Sequence, residues 1–170
     1  ADAGDQRTLV TQFARLIGAR NKSDEVQRTL ALLEKTPANR GRAGADADPR
    51  LSWEFLASLA EGLEEGGGSL AKYEGAADLK NLFQEASRVA FNSTNPATAD
   101  RVTALRALAS APDASLRTNL LQLVSASAES SEMRLAALSA LARPSLGEFA
   151  PGVVERWAHL LPAQRVAALD

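Results

Sequence analysis

The chain has no cysteine. That excludes disulfides, thiol nucleophiles, cysteine-ligated zinc and covalent haem attachment together. It leaves the compartment open, because many exported bacterial proteins also lack cysteine. Histidine is nearly absent too: His159 is the single one. No apolar run approaches the ~18 residues that span a bilayer, so no membrane insertion is expected. The opening residues carry no signal-peptide pattern, which says nothing about a longer parent. Aromatics make up 5% of the residues, and isoleucine is scarce; both favour strands. The formal net charge is only −2, so no global field points to nucleic acid or to a membrane surface.

What is abundant is Ala and Leu, about a third of the chain, and these are the strongest apolar helix formers. The expected class is all-α. The charges are spread mildly: nine Lys/Arg against seven Asp/Glu in residues 1–50, three against seven in 51–95, and seven of each in 96–170. A mixed, solvated surface follows.

Periodicity and punctuation predict eight to nine helices. The first starts near Asp5 and carries Leu9, Val10, Phe13, Leu16 and Ile17 on one stripe, ended by Gly18. Ser23 is the expected cap of the second, with Val26, Leu30 and Leu33, stopped by Pro37. Residues 38–48 lack periodicity and read as a mobile loop. Asp48-Pro49 opens the third helix, with Leu51, Phe55, Leu56, Leu59 and Leu63, and Gly66-Gly67-Gly68 ends it. After a short segment over 69–73, the fourth buries Leu79, Leu82, Phe83, Ala86, Val89 and Ala90. Asn95-Pro96 restarts the pattern. The fifth carries Val102, Leu105 and Leu108. Pro112-Asp113 precedes the sixth, with Leu116, Leu120, Leu123 and Val124. A turn over 127–130 leads to the seventh, with Leu135, Leu138 and Leu141, stopped by Pro144. The eighth carries Val153, Val154, Trp157, Leu160 and Leu161, and Pro162 opens a ninth.

The second half repeats itself. Arg101-Val102-Thr103-Ala104-Leu105-Arg106-Ala107-Leu108 aligns with Arg134-Leu135-Ala136-Ala137-Leu138-Ser139-Ala140-Leu141, and again with Arg165-Val166-Ala167-Ala168-Leu169. Between the copies, Leu116, Leu120 and Leu123 match Val153, Trp157 and Leu160. Ala104, Ala107, Ala137 and Ala140 are small enough to let axes approach, and the leucines fill the gaps. A stack of helix pairs follows, in which each unit buries its open face on the next. This looks like a HEAT-type α-solenoid, a right-handed superhelix of antiparallel helices with short repeats. One domain over 1–170 is expected, with irregular pairs in 1–95 and regular repeats in 96–170. The third copy breaks off at Leu169-Asp170, and the chain opens without Met, so the array reads as a piece of a longer protein.

A finer resemblance covers nearly the whole chain. Phe13-Ala14-Arg15-Leu16-Ile17-Gly18-Ala19-Arg20 followed by Glu25-Val26 resembles the helical-repeat region of large exported, membrane-bound dehydrogenase-like proteins of planctomycetes and verrucomicrobia. So do Leu59-Ala60-Glu61-Gly62-Leu63 with Gly67-Gly68-Ser69-Leu70, Glu132 to Leu138, and Trp157 to Arg165. Those proteins join a β-propeller, a HEAT-like region and a cytochrome c domain with a Cys-x-x-Cys-His motif. The propeller and that motif are missing from this sequence, so no haem ligand or catalytic residue carries over to any position. The resemblance implies a cofactor-free scaffold in an exported, periplasmic redox protein, with other domains of the same polypeptide as partners.

The residues themselves offer few sites. His159 has no second histidine, and no zincin-type carboxylate–histidine spacing surrounds it. Asp24-Glu25 and Glu64-Glu65 could be acid/base pairs, but both sit at helix ends and read as solvated surface. Gly66-Gly67-Gly68 follows a helix and is no phosphate loop. Ser125, Ser127, Ser130 and Ser131 have no histidine to activate them. Trp53 lies about 125° off its helix stripe, so it either packs against the next layer or serves as a binding anchor; packing is favoured. Trp157 reads as core. Arg101, Arg134 and Arg165 either face an acidic partner or, as the favoured reading, bond groups of adjacent repeats. The expected function is a non-catalytic scaffold with no catalytic, cofactor or metal residue. The alternative is a free-standing protein- or peptide-binding adaptor using a strip with Trp53 or the arginines in it.

Overall fold

The protein is all-α. The computed structural model describes residues 3–36, 49–73, 79–92, 94, 97–111, 114–143 and 150–168. Among these, the helices are α1 (Ala3–Arg20), α2 (Ser23–Glu34), α3 (Pro49–Glu65), α4 (Lys80–Ala90), α5 (Thr98–Leu108), α6 (Ala114–Ser125), α7 (Ser131–Leu141), α8 (Ala150–Glu155) and α9 (Pro162–Ala167). Short 3-10 turns cover Leu70–Tyr73 and Trp157–His159. The expected mobile loop over 38–48, the stop at Pro37, the cap at Asp48 and the breaks at Asn95-Pro96, Pro112-Asp113 and Pro144 lie outside the described residues.

The odd helices touch in chain order, α1 on α3, α3 on α5, α5 on α7 and α7 on α9. On the other layer α4 packs on α5, and α6 on α7. One apolar cluster runs through them, from Val26 and Leu30 through Leu56, Leu59, Leu63, Leu82, Leu105, Leu120 and Met133 to Leu141 and Leu160. Each of these leucines contributes about 1.5–3 kcal/mol by leaving water. Ala104, Ala107, Ala137 and Ala140 are all buried, as close approach of the repeat helices demands.

Local chemistry sets the helix ends. At the end of α3, Gly67 takes φ 72°, a left-handed conformation that glycine adopts without strain. Gly68 N–H then bonds Leu63 O at 2.6 Å and Gly67 N–H bonds Glu64 O at 3.0 Å. That is the paired bonding of a Schellman motif. Asn21, at φ 48°, also ends α1 in a left-handed conformation, its N–H bonding Gly18 O at 2.9 Å, and its Nδ2 donates to Gly66 O at 3.1 Å. The two helix ends are thereby tied together. Ser130 caps α7, accepting from Met133 N–H at 3.2 Å.

Three expectations are corrected. Most of the α1 stripe does not face the core: Leu9, Phe13 and Leu16 are 52%, 62% and 59% exposed, Val10 is half-buried, and only Ile17 of the five packs against the core cluster. Instead Ala14 and Gly18 are buried, and the helix runs on past Gly18 to Arg20. A Cβ added to Gly18 would overlap the Leu59 carbonyl oxygen, and one on Gly62 would overlap that of Arg15. The two helices meet backbone to backbone, so the smallest face of α1 is the packed one. Second, Ser23 is the first residue of α2, Lys22 holds the cap position, and no side chain caps it. Third, the expected eighth helix is broken: α8 stops at Glu155, Arg156 turns, and Trp157 is half-buried at the edge of the core. Arg134 Nη2 bonds the His159 carbonyl at 2.9 Å and holds that turn.

Candidate interaction surface

Two adjoining clefts cross the row of odd helices. The first, about 500 Å³, lies over α1, α3 and α5, with Arg7, Thr11, Arg15, Glu54 and Ser58 among its walls. The second, about 450 Å³, lies over α3, α5 and α7, with Val102, Leu135, Ala136 and Ala140 forming an apolar floor. Glu61 and Arg106 belong to both. Their ion pair, Arg106 Nη2 to Glu61 Oε1 at 2.9 Å, stands where the clefts join. The result is one groove spanning four helices.

Ion pairs between helices set its walls. Arg15 of α1 pairs with Glu65 of α3. Arg143, just after α7, reaches Glu64 of α3 at 3.1 Å. The Arg15 guanidinium hydrogen-bonds the Glu65 carboxylate and holds it below the usual carboxylate range. The same bond raises Arg15. In α4, Arg88 lowers Glu85 by the same contact. Around the second cleft Glu61, Glu64 and Glu132 face Arg106 and Arg143, whereas the first has Arg7, Arg15 and Arg106 against Glu54 and Glu61. The groove is therefore more basic at its α1 end and more acidic toward α7.

The repeat arginines are not in the groove. Arg101 and Arg134 are buried, 5% and 6% exposed. Arg101 Nε bonds the Ala90 carbonyl at the end of α4, and its two terminal nitrogens hold Glu129 at 2.7 and 2.9 Å. Arg134 Nε bonds Val124 O at the end of α6, and Nη2 bonds His159 O. Each guanidinium thus closes the carbonyl end of the preceding helix, where positive charge is favourable, and reaches forward to the next unit. Arg165 repeats the idea weakly, with Nη2 to Ala158 O at 3.4 Å. Trp53 is 1% exposed and packs inside the core. Its indole N–H has no partner among the described residues. Neither it nor Arg101 or Arg134 is available as a surface anchor.

The remaining candidates are separated. Asp24 pairs with Arg28 at 3.4 Å and Glu25 with Arg20 at 3.0 Å. Ser125 donates to Leu121 O at 3.0 Å. Ser127 and Ser131 are exposed, and so is His159. Among the described residues, no group of three His, Cys, Asp or Glu side chains is placed to hold a metal, and no helix is long and apolar enough to cross a membrane.

The Arg143–Glu64 pair was not foreseen. It joins positions 79 apart in sequence, and no local pattern marks it. Arg106 carried a weak signal: it stands where the second copy has Ser139 and departs from an otherwise matching repeat. The structure defines an all-α helical protein with repeat-like units and a polar-walled groove. No family profile, curated protein or solved structure matches the chain.

Proposed function

We propose that the chain is a non-catalytic interaction scaffold, a HEAT-like α-solenoid whose groove over α1, α3, α5 and α7 holds a neighbouring domain of the same polypeptide. The observation that carries this reading is the groove: four helices from successive units contribute to it, and its apolar floor at Val102 and Leu135 is only partly covered. The odd helices touching in chain order, and the clamp that recurs at Arg101 and Arg134, support the solenoid part. The resemblance to exported dehydrogenase-like proteins supplies the expected neighbours, a propeller and a cytochrome c domain in the periplasm. A free-standing adaptor would use the same groove through Val102 and Leu135, since Trp53 and the two repeat arginines are buried.

Hydroxyl-radical footprinting of the isolated chain and of the full-length gene product tests the reading. Labelling of Val102 and Leu135 is expected to fall in the full-length protein. Equal labelling in both would contradict a docked domain, and protection that arises only on adding a separate protein would select the adaptor. A haem spectrum or a retained metal in the isolated chain would contradict the non-catalytic part.

A further inference from the structure

The outer face of α1 lies on the opposite side of the helix from the face that meets α3. Ala14 and Gly18 point inward. Leu9, Phe13 and Leu16 point outward and are more than half exposed. No comparable set of bare apolar side chains occurs on α3 to α7, whose large apolar residues are buried or half-buried among the described residues. The spacing of Leu9, Phe13 and Leu16 is four then three, the seam of an amphipathic helix. Asp5 extends the seam by one turn at one end and Arg20 by one turn at the other. Both are exposed. Arg20 has Glu25 at 3.0 Å but keeps 57% of its side chain in solvent.

We propose that this face is a homodimer interface in which α1 packs antiparallel on α1 of a second copy. The face is self-complementary under a two-fold axis. Leu9 and Leu16 lie equally far from a point between Gln12 and Phe13, and so do Asp5 and Arg20. An axis through that point sets Leu9 against the second copy's Leu16, brings the two Phe13 rings together, and places each Asp5 beside an Arg20. Parallel pairing would instead oppose Asp5 to Asp5 and Arg20 to Arg20. The helix dipoles favour the antiparallel choice as well. Such an interface is isologous, with every contact made twice. One helix of 18 residues is about 27 Å long and offers a face about 10 Å wide. That is less than the ~800 Å² per partner of a stable complex. The dimer is therefore weak, formed at tens of micromolar or above and lost on dilution. The inference does not depend on the groove, whose walls take the Arg7, Thr11 and Arg15 side of the same helix.

Sedimentation equilibrium of the chain from about 5 µM to about 1 mM tests it, with circular dichroism as the check on folding. The wild type is expected to pass from monomer to dimer across that range. Phe13→Asp, on an exposed position, is expected to weaken dimerisation at least ~100-fold with unchanged helicity. Asp5→Arg alone and Arg20→Asp alone each oppose like charges and weaken it about 10-fold. Mixing these two variants restores it. In the mixed dimer the two introduced charges face each other with opposite sign, and the native Arg20 of one copy faces the native Asp5 of the other. A wild type that stays monomeric at 1 mM overturns the proposal. So does a dimer indifferent to Phe13→Asp, or a mixture no tighter than its components.

Discussion

Helices α1 and α3 meet through glycine, backbone against backbone, whereas α5 and α7 pack with alanines buried and are pinned at their ends by arginine. In the first pair the contact is made by what is missing: a Cβ at Gly18, Gly62 or Gly66 would overlap main-chain atoms of the facing helix. In the second, Ala104, Ala107, Ala137 and Ala140 fill the space, and Arg101 and Arg134 join three successive segments each. The close contact leaves Leu9, Phe13 and Leu16 of α1 free for solvent or a partner, while Leu56, Leu59 and Leu63 of α3 are buried. The clamped pairs use theirs for the core. One row of helices can thus present a bare apolar face on the outer side of its first member and a polar-walled groove along its length.

Exchanging the two solutions breaks the comparison most strongly. Gly62→Ala forces α1 and α3 apart and is expected to cost about 3 kcal/mol by urea unfolding, although alanine raises helix propensity by about 1 kcal/mol. Ala137→Gly in the second region should also destabilise, by the lost methyl and the lost propensity together. Next come the clamps. Arg101→Met strands the Glu129 carboxylate, whose side chain is 12% exposed, and should cost about 2–3 kcal/mol. Arg134→Met removes bonds to carbonyls only and should cost about 2 kcal/mol. Arg165→Met, at a partly exposed position, should cost less than either. Equal losses at all three would remove the graded clamp from the account. Removing the α7 cap by Ser130→Ala is expected to cost about 1 kcal/mol.

The smallest effect is a pH dependence at the groove. Arg15 lowers the folded-state pKa of Glu65 by hydrogen bonding. Its contribution is therefore present above the ordinary glutamate value and is lost as pH falls through the lowered folded one. Glu65→Gln should narrow the stability gap to wild type in acid and leave it visible near neutrality, as a small shift in urea midpoint because the pair is exposed.

The helices of the middle and the repeat were legible in the sequence, because Leu56, Leu59, Leu63, Leu82, Leu105, Leu120 and Leu138 bury by the same periodicity that marks them. The arginine clamps were legible as a choice between two readings. The α1 face was not. Hydrophobic periodicity ranks residues by the water they shed, and on that scale Leu9 and Phe13 outrank Gly18. Backbone-to-backbone approach is decided by the absence of side chains on both helices at once, and no single-helix pattern reports it. Gly62 on α3 matches Gly18 on α1 only once the pair is seen together. The groove was illegible for a related reason: Arg143 and Glu64 are far apart in sequence, and their pairing depends on α7 reaching α3 over α5. The turn that follows α8 is likewise held by Arg134, a residue of another helix.

The central claim is that the odd helices form an open row, so that the groove crosses four of them. The absence of cysteine makes a direct test simple, since spin labels at Thr8→Cys on α1 and Ser139→Cys on α7 are the only ones attached. Three interhelical spacings predict an electron–electron distance of about 25 Å between the two helices. A distance near 10 Å would mean that α7 closes back on α1 as a bundle, and would contradict both the open row and the groove along it.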